Sequence, residues 1–285
     1  IVMKIGIAGI GLIGGSLAIQ LRKTIKDVII YGYDSSEINL KKGIDLELID
    51  AEILKKDFAE LDVIFLTFPV KEITNQLSSI LDLVSKKTLV IDFGSTKSKI
   101  CESISSHPKR SQFLATHPIA GTEFSGPTAA KNNLFNGKVQ IICESHKTDE
   151  NHLEWALNWF SSIGMILKEM NPEDHDKHIA YVSHLSHISS FILGQTVLEK
   201  EKDESAIFAM AGSGFASTVR LAKSSPQTWS SIFEENKENV LETLKHYLTN
   251  LESFKSLLEN DEYKKIYHTI EKTNAIKSVL KGIKK

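Results

Sequence analysis

The stretch KIGIAGIGLIGGS, from Lys4 to Ser16, decides the fold of the first part of the chain. It starts as a short apolar run, turns through Gly9, Gly11 and Gly14, and continues with apolar residues at helical spacing. A G-x-G-x-x-G pattern between a strand and a helix is typical of a dinucleotide-binding turn. The first glycine allows the tight turn, the second leaves room for a pyrophosphate, and the third lets the helix pack closely on the strand.

An acidic residue at the end of the next strand identifies the cofactor more closely. The apolar run from Val28 to Tyr33 ends in Asp34, twenty residues beyond Gly14. A carboxylate at this place accepts hydrogen bonds from the ribose hydroxyls and repels a 2′-phosphate, so we expect NAD to be favoured over NADP. The helix N-terminus, where Leu12 and Ile13 lie, adds free N–H groups and a positive dipole end for the phosphates.

The composition is that of an ordinary globular protein. The chain has 285 residues, 41% hydrophobic and 25% charged, which suggests two domains or one large one. The formal charge of −2 argues against general nucleic-acid binding. No apolar run approaches the roughly 18 residues of a membrane span, and we expect no signal peptide before the first strand. With only Cys101 and Cys143 present, no disulfide framework is expected. We expect a cytoplasmic protein.

The sequence divides into two parts of different character. Up to residue 170, strand-like and helix-like segments alternate, which predicts a mostly parallel, doubly wound sheet. After that, no strand-like run remains and the apolar residues recur at helical spacing, with helical patterns from Phe215 to Ala222, Trp229 to Leu251 and Phe254 to Leu280. We therefore predict an α/β Rossmann-type NAD-binding domain over residues 1–170 and an all-α domain over residues 171–285. The lysine-rich end, Lys277 to Lys285, is predicted to be a solvated tail.

Loops that follow the predicted strands are where chemistry is expected, because ligands bind at the carboxyl ends of parallel strands. His117 follows an apolar strand predicted from Gln112 to Thr116 and begins a long polar loop; it is followed by a proline and can accept a proton near neutral pH, as oxidation of an alcohol requires. Pro69 follows another strand and either passes beneath a nicotinamide or forms a plain strand-to-helix turn. Ser95, in the sequence Gly94 to Lys97, either faces the site or caps the next helix.

Three further candidates lie in the helical part. Ser183 and His187 stand at i and i+4, on one helix face. His184 and His187 could hold a metal, but no third ligand at a recognisable spacing accompanies them, so no metal is expected. Arg220 is one of only three arginines among 34 basic residues, which favours a position where a planar fork is needed, such as a carboxylate contact.

Together, in chain order, these motifs resemble the prephenate/arogenate dehydrogenase family of tyrosine biosynthesis. The motifs are GIGLIGGSLA, the strand ending in Asp34, DFGSTK, HPIAGTE, SHLSH, and GFASTVRLA followed by Trp229. The resemblance implies a nucleotide-binding domain joined to a helical domain that binds substrate and forms a homodimer. It also implies NAD(P)-dependent oxidative decarboxylation of a cyclohexadienol.

The resemblance also implies roles for single residues. His117 resembles the catalytic histidine that accepts a hydrogen bond from the substrate 4-hydroxyl, and Ser95 the serine that shares this contact. The residues that match the substrate pocket are Ser183, His187, Arg220 and Trp229, and those assigned to the cofactor are Gly9, Gly11, Leu12, Ile13, Gly14, Asp34 and Pro69. Two positions depart from the usual pattern: Ser186 replaces a proline, and Ser217 replaces an aspartate.

These features predict a prephenate dehydrogenase, with Arg220 and His187 as the positive groups that hold the two substrate carboxylates. Arogenate, which carries an amine where prephenate has a ketone, is the first alternative. A second alternative is another enzyme of the wider superfamily, acting on a small hydroxy acid or an imine through Lys177. A third is a non-enzymatic dinucleotide sensor, which would need Asp34 and the glycines but not both His117 and Arg220.

Overall fold

The computed structural model describes residues 2–203 and 206–282 and contains one eight-stranded sheet in the order β3-β2-β1-β4-β5-β6-β7-β8. All neighbouring strands run parallel except β6 and β7, which are antiparallel. The strands are β1 (Met3–Ala8), β2 (Val28–Tyr33), β3 (Ala51–Glu52), β4 (Val63–Leu66), β5 (Leu89–Asp92), β6 (Phe113–Pro118), β7 (Val139–Cys143) and β8 (Ile166–Glu169).

Helices cover both faces of this sheet. They are α1 (Leu12–Thr24), α2 (Glu37–Asp45), α3 (Val70–Leu83), α4 (Ser98–Ser103) and α5 (Glu150–Ser162). Side chains alternate along a strand, so the fully buried β4 sends Phe65 to the face covered by α1 and α5, and Ile64 to the face covered by α3 and α4. The predicted doubly wound α/β domain is confirmed.

Pairing at β6 differs in one respect from the prediction. The strand was expected to end at Thr116, before the loop that begins with His117. It continues to Pro118, because His117 pairs with Ile141 of the antiparallel neighbour β7. The predicted catalytic histidine is therefore held by sheet pairing rather than by a loop.

No strand of the sheet lies beyond residue 170 in the described part of the chain. The helices there are α6 (Pro172–Ile179), α7 (Leu185–Asp203), α8 (Ser213–Thr218), α9 (Pro226–Glu235), α10 (Lys237–Glu259), α11 (Tyr263–Thr273) and α12 (Ile276–Gly282). A π-helical turn, Ala180–His184, joins α6 to α7, and a 3-10 turn, Arg220–Lys223, precedes α9. The tail predicted as solvated begins as exposed α12, and its residues 283–285 lie outside the described residues.

The helical pattern from Trp229 to Leu251 forms two helices, since α9 and α10 are divided at Asn236. Asn236 is 3% exposed, and its amide donates to the backbone carbonyl of Asp176 at 2.7 Å. A buried amide needs such partners, and making them turns the chain between α9 and α10.

Helix α9 also joins the helical part to the sheet domain. The Lys71 backbone N–H donates to Oγ of Ser231 at 3.0 Å, and the Thr74 hydroxyl donates to Glu235 at 2.8 Å. Ile232 is buried in the apolar cluster beneath α3.

Across residues 2–203 and 206–282, none of the helices has the length and apolar character that crossing a membrane requires.

Candidate active site

The glycine turn has the shape that a dinucleotide requires. Gly9 has a φ of +106°, and a Cβ there would lie 2.6 Å from the backbone nitrogen of Phe68. A Cβ on Gly14 would collide with the Gly9 carbonyl oxygen. Gly11, in contrast, has nothing within 4 Å of where its Cβ would be. Two glycines are thus needed for packing, and the third leaves the open approach to the backbone that a pyrophosphate needs.

Leu12 and Ile13 form the first turn of α1, where backbone N–H groups have no acceptor within the helix. Their side chains belong to the core, since Leu12 is buried and Ile13 packs against the same cluster. Any contact of these two residues with a phosphate is therefore made by the backbone.

Asp34 is fixed against the glycine turn. Its Oδ2 accepts the backbone N–H of Ile10 at 2.7 Å, and its Oδ1 accepts the backbone N–H of Ser36 at 2.8 Å. Oδ2 also accepts from Nδ2 of Asn39 at 3.4 Å, whereas Oδ1 keeps a second lone pair, so the half-buried group can still accept from a ribose hydroxyl. The opposite wall of the turn is the segment before α3, where the Thr67 hydroxyl donates to the Gly9 carbonyl at 2.7 Å and Pro69 precedes the first helical residue.

His117 is the best-placed proton acceptor at this edge of the sheet. Its Nδ1 lies 2.8 Å from Nε2 of His175, and Nδ1 of His175 lies 2.7 Å from Oδ1 of Asp176. In the described part of the chain, Nε2 of His117 makes no hydrogen bond. Burial, and to a smaller degree the charge of Lys97, hold the pKa of His117 well below its ordinary value of 6.5. His117 is therefore neutral near pH 7 and able to accept a proton.

One source of this effect is a buried ion pair. The ammonium of Lys97 contacts Oδ2 of Asp92, and both side chains are 0% exposed. The other oxygen of Asp92 accepts the backbone N–H of Thr116 at 2.9 Å, next to His117 in β6. A buried pair of this kind is costly to form and is kept in place by its hydrogen bonds.

Ser95 lies half-buried in the turn between β5 and α4, but it does not cap that helix. Helix α4 begins at Ser98, and the carboxylate of Asp176 accepts the N–H groups of Lys97 at 2.7 Å and Ser98 at 2.8 Å. The capping alternative for Ser95 is therefore wrong. The catalytic role of Ser95 stays a prediction, since its hydroxyl makes no hydrogen bond among the residues that the structure describes.

On the helical side, His187 and Trp229 lie face to face. Their ring centroids are 3.4 Å apart with an interplanar angle of 23°, and Nδ1 of His187 donates to the carbonyl of Ser183 at 3.0 Å. Ser183 itself lies in the π-helical turn, a feature that often occurs at functional sites. The structure thus brings together three of the predicted substrate residues.

The positive charge predicted for His187 is not supported. Burial lowers the pKa of His187, and the nearby charge of Arg220 lowers it further, although the Ser183 carbonyl opposes this. Burial also lowers the pKa of the neighbouring His184 to about 4. Both imidazoles are neutral near pH 7, and Arg220 carries the positive charge there.

Arg220 connects the helical part to the loop after β6. Its guanidinium donates to Oε2 of Glu123 at 2.7 Å, and the ammonium of Lys223 lies 3.6 Å from the other oxygen. The Arg220 side chain is 49% exposed, so part of its fork stays open to the cleft. The hydroxyl of Ser217 donates to the Gly214 carbonyl. Glu123 is the acidic partner of Arg220 in this chain.

Some of these residues could not be found from the sequence. Glu123 stands in a recognised motif, but nothing in the spacing indicates a partner 97 residues away. His175 and Asp176 precede the helical pattern and carry no motif. Ser186, the other unusual position, donates to the carbonyl of Val182 at 3.3 Å. Lys177, the residue on which the hydroxy-acid alternative depends, is exposed on α6.

These features define a dinucleotide-dependent dehydrogenase with a sheet domain for the cofactor and a helical domain across the cleft. The family model described as "Prephenate dehydrogenase, nucleotide-binding domain" matches residues 17–168, and "Prephenate dehydrogenase, dimerization domain" matches residues 171–272. The chain belongs to the prephenate dehydrogenase family and is an oxidoreductase.

Known proteins of this family resemble the chain over most of its length. Prephenate dehydrogenase of Bacillus subtilis is 29% identical over 265 residues, which are 92% of this chain and 71% of that protein. The structure of prephenate dehydrogenase from Aquifex aeolicus with hydroxyphenyl propionate and NAD+ has a TM-score of 0.87 and 30% identity, covering 98% of this chain and 99% of that one. Synechocystis arogenate dehydrogenase has a TM-score of 0.77 and 28% identity, covering 98% and 100%.

Proposed function

We propose that this protein catalyses the NAD-dependent oxidative decarboxylation of prephenate to 4-hydroxyphenylpyruvate. The observation that carries the proposal is the neutral imidazole of His117, at the cofactor edge of the sheet, with Nε2 free of partners among the described residues. The dinucleotide turn at the same edge of the sheet and the guanidinium of Arg220 on the helical side support a role for this base in the oxidation of an alcohol.

The cofactor is proposed to lie over the glycine turn. Gly11 gives the pyrophosphate access to the backbone, the first turn of α1 supplies N–H donors, and Asp34 accepts from the ribose. The carboxylate of Asp34 would repel a 2′-phosphate, which favours NAD over NADP. When bound, NAD accepts the hydride from the carbon that carries the substrate hydroxyl.

His117 is proposed to take the hydroxyl proton on Nε2 as the hydride departs. Ser95 would share the contact with this hydroxyl. The ring carboxylate then leaves as carbon dioxide, its bonding electrons complete the aromatic ring, and the former carbonyl oxygen takes the proton back from Nε2 of His117. The protein therefore has to orient the substrate, hold its charges and keep one proton on His117 until the oxygen is reprotonated.

The substrate carboxylate is proposed to bind the guanidinium of Arg220, which can donate two parallel hydrogen bonds. This carboxylate would compete with Glu123, the present partner of the guanidinium. The stacked rings of His187 and Trp229, with Ser183 beside them, would form the wall of the pocket. Arg220 and Lys223 outnumber the single carboxylate of Glu123, so this side of the cleft favours a ketone acid over the ammonium group of arogenate.

The test is the formation of NADH by the purified protein with prephenate and, separately, with arogenate. We expect turnover with prephenate and NAD, and much less with arogenate or with NADP. The matched control is His117→Asn, which removes the base but leaves the cofactor turn intact. Turnover with arogenate alone would contradict the substrate assignment. No turnover with either compound would favour the sensor or the hydroxy-acid alternative.

We also propose a homodimer whose interface is formed by the domain that follows residue 170. Long helices of this part leave large apolar side chains exposed in the single chain: Leu241, Leu248, Leu251 and Leu258 of α10, Tyr267 and Ile270 of α11, and Val279 and Leu280 of α12. Contiguous exposed apolar surface is typical of an interface.

We propose the cytoplasm as the place of the reaction.

A further inference from the structure

A hydrogen-bonded chain of three side chains runs behind the proposed base. His117 contacts His175 through Nδ1, at 2.8 Å, and His175 contacts Asp176 through its own Nδ1, at 2.7 Å. His175 and Asp176 are each 2% exposed. Both ring nitrogens of His175 are therefore committed to protein partners, in a place where water does not compete.

Asp176 determines the direction of these hydrogen bonds. Its carboxylate accepts the N–H groups of Lys97 and Ser98 in addition to the His175 ring. Burial would raise the pKa of Asp176, but the hydrogen bond from His175 and those from the two backbone amides outweigh burial, so this pKa is below its ordinary value. An ionised carboxylate only accepts hydrogen bonds, so Nδ1 of His175 carries a proton.

The proton on His175 fixes the tautomer of its neighbour. A neutral imidazole with a proton on Nδ1 has its lone pair on Nε2, so His175 accepts a hydrogen bond from Nδ1–H of His117. Neutral His117 then has its own lone pair on Nε2, the nitrogen that has no partner in the described structure. We infer that His175, held by Asp176, is a positioning residue that keeps His117 in the tautomer required of the base. This inference rests on the proposed function.

The same chain stabilises the charge that the reaction creates. As the substrate proton arrives on Nε2, His117 becomes an imidazolium, and its Nδ1–H bond to His175 becomes charge-assisted and stronger. The proton on Nδ1 stays where it is, so no further donor or acceptor is required. Asp176 supplies the negative charge at the far end. A buried acid acts in this way on the imidazole of a catalytic triad.

The alternative is that His175 and Asp176 only join the two parts of the protein. Asp176 lies on α6, and it caps α4 of the sheet domain. A purely structural join would affect stability and the affinity for both ligands, but it would not affect the protonation of His117. The charged and titratable groups around His117 are Lys97 and Asp92 from β5 and the following turn, His184 from the π-helical turn, and His175 with Asp176 from α6.

The experiment compares two substitutions of His175 with a control on the same helix. His175→Leu removes the acceptor, His175→Gln offers an amide oxygen in its place, and His178→Leu changes an exposed histidine of α6. We expect His175→Leu to lower kcat about 10- to 100-fold, by analogy with the loss found when the hydrogen-bond partner that orients a metal-bound histidine is removed. KM for NAD and for prephenate should stay unchanged, His175→Gln should recover part of kcat, and His178→Leu should behave as wild type.

The pH profile of kcat shows whether His175 accepts a hydrogen bond from His117 or repels its positive charge. Without its acceptor, the His117 imidazolium loses stabilisation, so the acidic limb of kcat in His175→Leu should move to lower pH. A shift to higher pH would mean that His175 was a cation repelling the charge on His117, and would overturn the inference. A normal kcat in folded His175→Leu would also overturn it. If His175→Leu does not fold, His175→Phe, which keeps a ring but has no acceptor, is measured instead: a reduced kcat with the acidic limb at lower pH supports the inference, and wild-type values for both refute it.

Substitution of His117 in the same assay separates the two proposals. A normal rate in His117→Asn would refute the base itself and with it the proposed mechanism. If kcat is low in His117→Asn but normal in His175→Leu, only the role of His175 is refuted. If both act through one step, the double variant should be no slower than His117→Asn, because residues of one unit are not additive.

Discussion

The guanidinium of Arg220 donates a hydrogen bond to Glu123 across the cleft, at 2.7 Å, and so links the helical domain to the loop after β6. Glu123 is 11% exposed in its side chain, whereas Arg220 is 49% exposed. The acidic partner is thus the fixed member of the pair, and the arginine is the member that can turn to another carboxylate. A substrate carboxylate would have to exchange with Glu123.

We expect Arg220→Lys to raise KM for prephenate and largely keep kcat. A lysine cannot reproduce two parallel hydrogen bonds, and bonds to charged groups contribute roughly 1.5–3 kcal/mol, or about 10- to 150-fold in affinity. KM for NAD should not change. Steady-state kinetics with each ligand varied separately measures this, with Arg22→Lys, a surface arginine bonded to Asp50, as the control. Equal values of KM in Arg220→Lys and the control would remove Arg220 from the pocket.

We expect His117→Asn to lower kcat by roughly 10²–10⁴, the usual contribution of a positioned proton acceptor. The cofactor contacts lie on other strands, so NAD affinity should hardly change. The measurement is kcat at saturating NAD and prephenate, together with an NAD titration. His107→Asn, at a partly buried histidine far along the sheet that pairs with Asp82, is the control for changing a histidine. A variant at position 117 that kept wild-type kcat would exclude this residue as the base.

Stability should fall as the pH is lowered below 6.5. The pKa values of His117, His184 and His187 are all lowered by burial, to about 4 for His184, so the unfolded chain binds protons that the folded chain does not. The free energy of unfolding therefore decreases from about pH 6.5, the ordinary histidine pKa, down to the folded-state values. Urea unfolding at several pH values between 8 and about 4.5 checks this; the lower limit avoids most titration of carboxyl groups. A free energy that is constant over this range would contradict the buried, neutral histidines.

We expect Asp34→Ala to reduce the preference for NAD over NADP. Loss of the carboxylate removes the acceptor for the ribose hydroxyls and the repulsion of a 2′-phosphate. The ratio of kcat/KM with the two cofactors measures the effect. Asp34→Asn is the companion variant, because it removes the charge but keeps one oxygen that can accept from Ile10 or Ser36. Equal kcat/KM values with NAD and NADP in the unmodified protein would show that Asp34 does not select the cofactor.

We expect the protein to sediment as a dimer at micromolar concentration. The apolar side chains exposed on α10 and α11, such as Leu251 and Ile270, are those that a stable interface would cover. Sedimentation velocity of Leu251→Asp should show a larger monomer fraction than wild type. A charge at an exposed position away from this surface, Leu54→Asp, is the matched control. A wild-type protein that is monomeric at this concentration would contradict the proposed interface.

The sheet domain could be predicted well because its signals are local. The glycine turn, the apolar runs and Asp34 each constrain residues close in sequence, and the structure has the predicted strands, with a two-residue β3 in addition. The antiparallel pairing of β6 with β7 could not be predicted, because parallel and antiparallel partners have similar residues in a buried strand. That pairing is what continues β6 through His117.

The contacts around the site were harder to predict from the sequence. Its principal residues carry motifs, but their state depends on long-range contacts. His187 was expected to be charged, and its stacking on Trp229 and its burial make it neutral. Similarly, Asn236 lies within a continuous helical pattern, and only its buried bond to the Asp176 carbonyl explains why the helix divides there. Such contacts join residues 60 apart and leave no periodic signal.

The cap that Asp176 places on α4 makes the cofactor domain depend on the helical domain for part of its structure. Helix α4 has only six residues, and the acceptor for its first N–H groups comes from the other domain. A helix this short is not stable by itself. The cofactor domain and the helical domain are therefore not interchangeable modules: a chimera that paired this sheet with a foreign helical partner would need an acid at the position of Asp176 before its cleft could form. Domain shuffling in this lineage would have had to carry both halves together.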